Sequence, residues 1–139
     1  MRLEKAYRLW GVDMSADWTP LEAGMERFVA LDKGDFIGRD ALLRQQEEGI
    51  ERSLACLVVD ATDADPHGYE PVLAGDESIG YVSAGGYGHV VEASIALAYL
   101  PVPYASPGTE LEVKILGRRC GARVVDAPLY DPKNERLLG

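Results

Sequence analysis

The sequence predicts a mainly β protein with minor α, folded as an antiparallel barrel or sandwich. From Arg52 onward, apolar and β-branched segments bounded by Gly or Pro follow one another with no helical pattern between them. One of these segments, residues 92–100, is almost continuously apolar, so we expect a central strand with both faces covered. The clearest helical pattern, residues 39–48, precedes all of them. Strands that succeed each other without crossover helices pair antiparallel, which argues against βαβ units.

The amino-terminal part of the chain carries mixed signals. Apolar side chains recur there at helical spacing and predict a short, one-sided helix within residues 1–11: Leu3, Ala6, Tyr7 and Trp10. Pro20 stands at a first helical position with Glu22 just behind it, which predicts a helical turn that Gly24 ends early. Residues 28–31 are apolar and predict a strand.

Residues 39–48 are expected to form a helix that begins after Gly38. Gly49 is well placed as the left-handed residue that ends it. Only Leu42 and Leu43 offer apolar anchors, which are too few for a broad buried face. We therefore expect a connector helix at the surface.

Six strands are expected after this helix. Their apolar segments are residues 54–59, 70–73, 79–83, 92–100 and 111–115, followed by a return strand on which Cys120, Ala122 and Val124 point inward. The third segment is expected to stop at Gly85 and Gly86, with Gly88 turning the chain toward the fourth. Residues 60–78 carry six acidic and no basic side chains, which predicts a long solvated excursion. We expect residues 128–139 to lie over the barrel.

The composition argues against several classes of protein. Lys and Arg number 14 against 23 Asp and Glu, a net charge of −9, whereas a nucleic-acid binder needs a basic face. No apolar run approaches the roughly 20 residues that cross a membrane, and the amino terminus has no secretory signal, so we expect a cytoplasmic protein. Cys56 and Cys120 lie within apolar strand patterns, so free thiols are expected rather than a disulfide. With only two histidines, no metal site is expected.

The residues alone point to no particular chemistry. There is no phosphate-binding loop, no metal-spaced pair of histidines and no serine nucleophile elbow. The glycines of residues 85–88 lack the spacing of a dinucleotide fingerprint, and turn residues are the simpler interpretation. His67 and His89 are lone histidines in predicted loops, where a histidine is more often solvated than catalytic.

Four stretches of the chain, taken in order, resemble a known family: RLEKAYRLWGVDM, TPLEAGMERFVALDKGDFIGRDALL, SAGGYGHVVEASIALAYLP and PLYDPKNERL. They resemble the carboxyl-terminal part of the aminomethyltransferase, or glycine-cleavage T-protein, family. Two stretches are most similar to the folate-binding end of dimethylglycine and sarcosine dehydrogenases, namely LDKGDFIGRDALLRQQEEG and SAGGYGH. The resemblance covers essentially the whole chain.

The resemblance implies three parts. Residues 1–37 would be the truncated end of an α+β folate-binding domain, residues 38–51 a connector helix, and residues 52–139 a small Greek-key or jelly-roll barrel. The implied function is that of the carboxyl-terminal module of a tetrahydrofolate-dependent aminomethyltransferase or demethylating dehydrogenase, in glycine, sarcosine or dimethylglycine C1 metabolism. The implied cofactor is tetrahydrofolate, and FAD would belong only to a missing domain of the longer relatives.

The resemblance assigns a ligand role to Glu4. In the Arg-Leu-Glu motif it matches the family glutamate that holds the pterin of tetrahydrofolate. A carboxylate has two acceptor oxygens, and the pterin edge offers an N–H and an amino group side by side, so the chemistry fits. The alternative interpretation is a solvated carboxylate.

Several other residues match the folate side of the family by position. Tyr87 and Tyr130 match barrel and tail positions that face the folate, with plain packing as the alternative. Trp10 and Tyr7 would flank the pterin or lie in the core. Lys33 falls where the family often has a basic residue near the folate tail, although a solvated lysine is the simpler interpretation.

We expect no catalytic residue in this chain. The family's catalytic aspartate lies in the amino-terminal part, and nothing upstream of Arg2 matches it here. A half-cleft with one carboxylate cannot position both a cofactor and a substrate, so the chain is expected to be inactive by itself. The alternative is a non-catalytic binding or interaction module that has kept the barrel.

The same resemblance implies a partner. Apolar side chains of the first 37 residues would be bare without a preceding domain, and such a patch drives association: Leu3, Tyr7, Leu9, Trp10, Phe28 and Val29. We therefore expect a homo-oligomer, most simply a two-fold dimer, or a missing amino-terminal half as the partner. Neither nucleic acid nor a membrane is expected.

Overall fold

The computed structural model describes residues 1–139 and contains a closed six-stranded barrel. The strands are β1 (Arg52–Val59), β2 (Pro71–Ala74), β3 (Glu77–Gly88), β4 (Ala93–Pro101), β5 (Glu110–Ile115) and β6 (Arg118–Val125). Around the barrel the order is β1-β4-β3-β2-β5-β6, and all neighbours are antiparallel. The predicted mainly β class and antiparallel barrel are confirmed. Closure leaves no unpaired edge strand.

The barrel interior is an apolar core to which every strand contributes. Its fully buried side chains include Leu57, Val72, Val82, Ala98, Val113 and Val124, one from each strand. Burying a Leu or Val side chain contributes about 1.5–3 kcal/mol, so these positions stabilise the closed sheet. On β6 the predicted inward side chains Ala122 and Val124 are buried, and Cys120 is half-buried.

Strand β4 is covered on both faces, as its apolar run predicts. Its inward residues Ala96, Ala98 and Leu100 belong to the barrel core. On the outer face, Ile95 and Leu97 are buried in a second, smaller cluster. That cluster is covered by side chains from both ends of the chain, among them Leu3 and Leu129.

Strand β3 does not stop at Gly85 and Gly86, so that prediction is wrong. It continues to Gly88, which pairs with Ala93 of β4, after a register shift between Val82 and Ala84. A Cβ atom on Gly85 would lie 2.5 Å from the backbone oxygen of Pro66. This glycine therefore serves close backbone approach within a strand rather than a turn.

The amino-terminal predictions of a helix and a strand are also wrong. Residues 2–6 form hydrogen-bonded turns, and Ala6 has a left-handed φ of 52° that ends any helix there. Glu4, Lys5 and Ala6 are all buried, which a one-sided helix cannot achieve with three consecutive residues. The predicted strand at residues 28–31 is absent, and its first residue instead ends a single 3₁₀ turn, Glu26–Phe28.

The predicted helical turn after Thr19 is present. The Glu22 carboxylate accepts the Thr19 backbone N–H at 2.9 Å, and the Thr19 hydroxyl accepts the Glu22 N–H at 3.3 Å, which is a capping box. Helix α1 (Arg39–Glu48) is confirmed, and Gly49 after it has a left-handed φ of 90°. Helix α1 buries none of its residues, which fits a connector at the surface.

The carboxyl-terminal tail carries a second short helix, α2 (Glu135–Leu138), that the sequence does not predict. Leu129 packs on the outer cluster of the barrel, so the start of the tail lies over the barrel as expected. Cys56 and Cys120 are free thiols, as expected, and burial raises the pKa of Cys56 to about 11 although Arg8 opposes the rise.

Large apolar side chains remain exposed in the amino-terminal third. Trp10 is 71% exposed and Phe28 is 64% exposed, whereas Leu3, expected to be bare, packs against the barrel. Self-association through this surface stays a prediction, as do the domain boundaries at residues 37 and 51. No helix of the structure is both long and apolar enough to cross a membrane.

Candidate ligand-binding site

Glu4 ties the amino-terminal segment to the turn after β3. Its side chain is 1% exposed. Oε1 accepts the backbone N–H of Val90 at 2.6 Å and that of Val91 at 3.2 Å. Oε2 contacts the amino group of Met1 at 3.0 Å. Oε1 is therefore hydrogen-bonded to the barrel, while Oε2 contacts the amino group of Met1, a largely exposed residue.

The ionised form of Glu4 is favoured in the folded chain. Burial acts to raise its pKa, but the Val90 N–H, the Met1 amino group and the Val91 N–H outweigh burial, so the pKa lies below its ordinary value of 4.5. A carboxyl whose pKa is lowered by folding contributes stability above its ordinary pKa. That contribution is lost as the pH falls through the lowered value.

We expect this titration to be visible in the melting temperature. Between neutral pH and pH values below 4.5, the wild-type chain should lose more of its melting temperature than a Glu4→Gln variant, because the amide has no charge to lose. Thermal unfolding followed by circular dichroism across that range checks this. Equal losses in the two proteins would contradict the assignment.

A second buried carboxylate, Asp13, ties the same segment to β3 and β4. It is 0% exposed. Oδ1 accepts the Ser83 hydroxyl at 2.6 Å, and Oδ2 accepts the Leu9 N–H at 2.9 Å and Nη1 of Arg2 at 2.5 Å. The Asp13 carbonyl accepts the Tyr99 hydroxyl at 2.7 Å. Its polar atoms are thus satisfied by groups from three separate parts of the chain.

An aromatic pair completes this attachment. The rings of Trp18 and Tyr99 stack with centroids 3.8 Å apart and an interplanar angle of 7°. Burial, with the Asp13 carboxylate, raises the pKa of Tyr99 above its usual range, so the phenol stays protonated and donates. Residues 2–18 are therefore held on the outer face of the barrel by two carboxylates and a stacked pair.

The two ends of the chain meet at a cavity of about 440 Å³. Its walls come from the first seven residues and from the tail, and include Arg2, Lys5, Tyr7, Tyr130, Asp131 and Arg136. The two ends are joined by a backbone hydrogen bond, which the Tyr130 N–H donates to the Glu4 carbonyl at 3.0 Å. Nζ of Lys5 donates to the Asp131 carbonyl and to Asn134 Oδ1, both at 2.6 Å.

The structure brings together some of the predicted site residues and separates others. Tyr130 and Tyr7 line this cavity, and Glu4 lies beside it through its contact with Met1 in the cavity wall. Tyr87 instead lines a separate groove of about 670 Å³ on the barrel. Trp10 lines neither space. The ligand roles of these residues stay predictions.

Lys33 is exposed and lies over the ring of Phe36, with Nζ 5.1 Å from its centroid. It lines neither the cavity nor the groove.

The cationic residues of the cavity are not among the predicted site residues. Arg2 stands two residues before Glu4 in the same motif, so a signal for it was present. Arg136 and Lys5 gave no signal, because lysine and arginine near a chain end are ordinarily solvated. Their proximity depends on the tail returning to the amino terminus.

The cavity combines tyrosine rings with positive charge in a chain whose net charge is −9. Such a lining suits an aromatic ligand that carries a negative group. The two carboxylates at this site, Asp131 in the cavity wall and Glu4 beside it, are poor proton acceptors. Burial acts to raise the pKa of Asp131, but hydrogen bonds from the Arg136 backbone N–H and from Lys5 outweigh burial and lower that pKa. The pKa of Glu4 is lowered in the same way by hydrogen bonds from backbone N–H groups and from the Met1 amino group. The arrangement therefore favours binding over proton transfer.

Comparison with known proteins identifies the family of the chain. A sequence model described as the glycine cleavage T-protein C-terminal barrel domain matches residues 52–131. The mitochondrial dimethylglycine dehydrogenase of Mus musculus is 41% identical over 140 residues, which is 99% of this chain and 16% of that protein. The aminomethyltransferase of Rippkaea orientalis is 44% identical over 135 residues, covering 96% of this chain and 36% of that protein.

A solved structure agrees. The glycine cleavage system aminomethyltransferase T from Bartonella henselae superposes with a TM-score of 0.86 and 26% identity, covering 94% of this chain and 37% of that one. The chain belongs to the glycine cleavage T-protein family, whose C-terminal barrel domain it contains. It spans about a third of the aminomethyltransferases and a sixth of the dimethylglycine dehydrogenases that it matches.

Proposed function

We propose that this chain binds a reduced folate in the cavity between its two ends, as the carboxyl-terminal module of a tetrahydrofolate-dependent enzyme of C1 transfer. The substrate class is glycine or its N-methylated forms, sarcosine and dimethylglycine. The observation that carries the proposal is the cavity of about 440 Å³ in which two tyrosines meet three cationic side chains beside Glu4. Similarity to aminomethyltransferases and dimethylglycine dehydrogenases supports the same ligand class.

The lining fits the parts of a folate. A pterin or aminobenzoyl ring stacks favourably on tyrosine faces, which Tyr7 and Tyr130 supply. Oε2 of Glu4 already accepts a donor, the Met1 amino group at 3.0 Å, and a pterin N–H could replace that donor. The glutamate end of a folate carries carboxylates, which arginine side chains bind.

We propose further that the chain by itself binds but does not catalyse. Glu4 and Asp131 both have lowered pKa values and are occupied by hydrogen bonds within the chain. Neither is poised near neutral pH, where a general acid or base works best. FAD, where longer relatives use it, would be held by residues outside this chain.

Titration calorimetry with folinic acid tests the proposal. We expect binding to the wild-type chain, and a loss of about tenfold or more for Glu4→Gln, since a hydrogen bond to a charged group contributes about 1.5–3 kcal/mol. Glu92→Gln is the matched control, because Glu92 is exposed and lines the separate groove.

A pair of tyrosine variants locates the ligand. Tyr130→Ala should weaken folinic acid binding by about tenfold through loss of stacking, while Tyr87→Ala should leave it unchanged if the cavity holds the ligand. The reverse pattern would move the site to the barrel groove. No binding to the wild-type chain would overturn the proposal and favour a non-catalytic interaction module.

A further inference from the structure

We propose that Arg2 and Arg136 form an anion-recognising wall of the cavity, and that the buried Asp13 is a positioning residue that orients Arg2 toward the ligand carboxylate. The inference rests on the proposed folate function and adds to it the side chains that read the charged end of the ligand.

The cavity has two cations with unused hydrogen-bonding capacity. Of its three basic residues, Lys5 is fully engaged, since Nζ contacts the carbonyl and the carboxylate of Asp131 and Oδ1 of Asn134. The Arg136 side chain, in contrast, makes no hydrogen bond or ion pair within the chain, and only its backbone N–H is used. An arginine left free in a cavity wall is available to a ligand carboxylate.

Arg2 is held at one end only. Its Nη1 donates to Asp13 Oδ2 at 2.5 Å and to the Tyr7 carbonyl at 2.9 Å. A guanidinium has five N–H donors, so the two on Nη1 are used and the three on Nε and Nη2 remain. Those three include the Nε–Nη2 edge, which binds a carboxylate through two parallel hydrogen bonds. The side chain is 35% exposed, which leaves this edge reachable.

Asp13 fixes that guanidinium because the barrel fixes Asp13. Its two oxygens accept from Ser83 of β3 and from the Leu9 N–H, and its carbonyl accepts from Tyr99 of β4. The carboxylate is 0% exposed and cannot reach the ligand itself. It therefore acts through Arg2, by holding Nη1 and turning the other edge of the guanidinium outward.

The test compares folinic acid with a ligand whose glutamate end is uncharged because both carboxylates are methyl esters. Folinic acid and its glutamate dimethyl ester are titrated calorimetrically into the wild-type chain and into Arg2→Gln, Arg136→Gln and Asp13→Asn. The readout is the ratio of the affinities for acid and ester. General loosening of the fold weakens both ligands alike and leaves this ratio unchanged. Arg123→Gln is the matched control, because it removes an exposed arginine that lines the separate groove.

We expect the wild-type chain to prefer the acid by about tenfold to a hundredfold, as charge-assisted hydrogen bonds predict. The preference should fall severalfold in Arg2→Gln, Arg136→Gln and Asp13→Asn and persist in Arg123→Gln. Arg2→Gln combined with Asp13→Asn should show the same ratio as Arg2→Gln alone, since Asp13 acts through Arg2.

Other results would overturn either the anion wall, the positioning role of Asp13, or the proposed function. An unchanged ratio in Arg2→Gln and Arg136→Gln, with folinic acid still bound, overturns this inference and leaves the proposed function standing. A reduced ratio in both arginine variants with an unchanged ratio in Asp13→Asn overturns only the positioning role. If Asp13→Asn does not fold, the two arginine variants still test the anion-recognising wall. Arg2→Lys then tests whether the orientation of the guanidinium matters, because lysine keeps the charge but cannot form two parallel hydrogen bonds. Absence of folinic acid binding to the wild-type chain overturns the proposed function itself.

Discussion

Replacing Gly85 with alanine is expected to destabilise the barrel by about 3 kcal/mol or more. A Cβ atom at this position would lie 2.5 Å from the backbone oxygen of Pro66 and 2.7 Å from its carbonyl carbon. That backbone cannot move aside easily, because the segment is hydrogen-bonded along β3: Gly85 N–H donates to the His67 carbonyl at 3.1 Å and Tyr69 N–H to the Val82 carbonyl at 2.7 Å. Urea unfolding of the two proteins measures the difference.

Gly121→Ala is the matched control for this prediction. Gly121 also lies in a strand, but a Cβ atom there would meet nothing within 4 Å and its φ is not left-handed. We expect unchanged stability, or a gain of up to about 0.5–1 kcal/mol from the lower chain entropy of alanine. Equal effects of the two substitutions would show that the Pro66 approach does not limit the fold.

Replacing Asp13 with alanine is the second large effect, a loss of about 3 kcal/mol of unfolding free energy. The substitution removes the side-chain acceptor of the Leu9 N–H and the charged acceptor of the Ser83 hydroxyl and of Arg2 Nη1. The last two donors keep only the carbonyls of Leu97 and Tyr7. Because Arg2 is partly exposed and can turn to water, we place the loss at the lower end of what breaking a buried ion pair costs. Urea unfolding of the wild-type chain and of Asp13→Ala measures the total loss of unfolding free energy.

Tryptophan fluorescence shows where the loss in Asp13→Ala occurs, since Trp18 stacks on Tyr99 next to the carboxylate site. Asp17→Ala serves as the control, because Asp17 is exposed and bonds only to Ser15, so a change within about 0.5 kcal/mol is expected. A loss in Asp13→Ala no larger than in Asp17→Ala would mean that the buried network does not hold the segment to the barrel.

Much of the barrel could be predicted from the sequence, because its signals are local. The run that ends at Leu100 has apolar residues on both faces, and both faces are covered. Helix α1 ends at Gly49, whose left-handed φ of 90° suits glycine. Strands β5 and β6 alternate buried and exposed residues around the left-handed Gly117.

The wrong predictions share a cause, which is that distant contacts decided the local conformation. Helical spacing around Leu3 and Tyr7 was real, but Glu4 is held by Val90 and Val91, and the chain bends to deliver it. The turn predicted at Gly85 is wrong because the constraint on this residue, the Pro66 backbone, lies 19 positions earlier and leaves no local pattern.

The candidate site was predicted only in part, and through family resemblance rather than spacing. Glu4, Tyr7 and Tyr130 come from the resemblance, and the structure brings them to one region. Tyr87, assigned in the same way, lies in another groove. Asp13 was not predicted, since its importance depends on Ser83 and Tyr99, which are 70 and 86 positions away in sequence.

The sequence by itself determined which segments of the barrel form strands and where the connector helix begins and ends, because hydrophobic alternation and glycine act between near neighbours. Only the tertiary structure decided the path of residues 2–18 and the cavity that they form with the tail. Those features depend on hydrogen bonds such as that from Lys5 to Asn134, 129 positions apart, and on buried carboxylates whose partners lie on β3, on β4 and in the turn between them. No pattern within a short window of sequence encodes such pairings, because each becomes favourable only after the barrel has closed and excluded water from it.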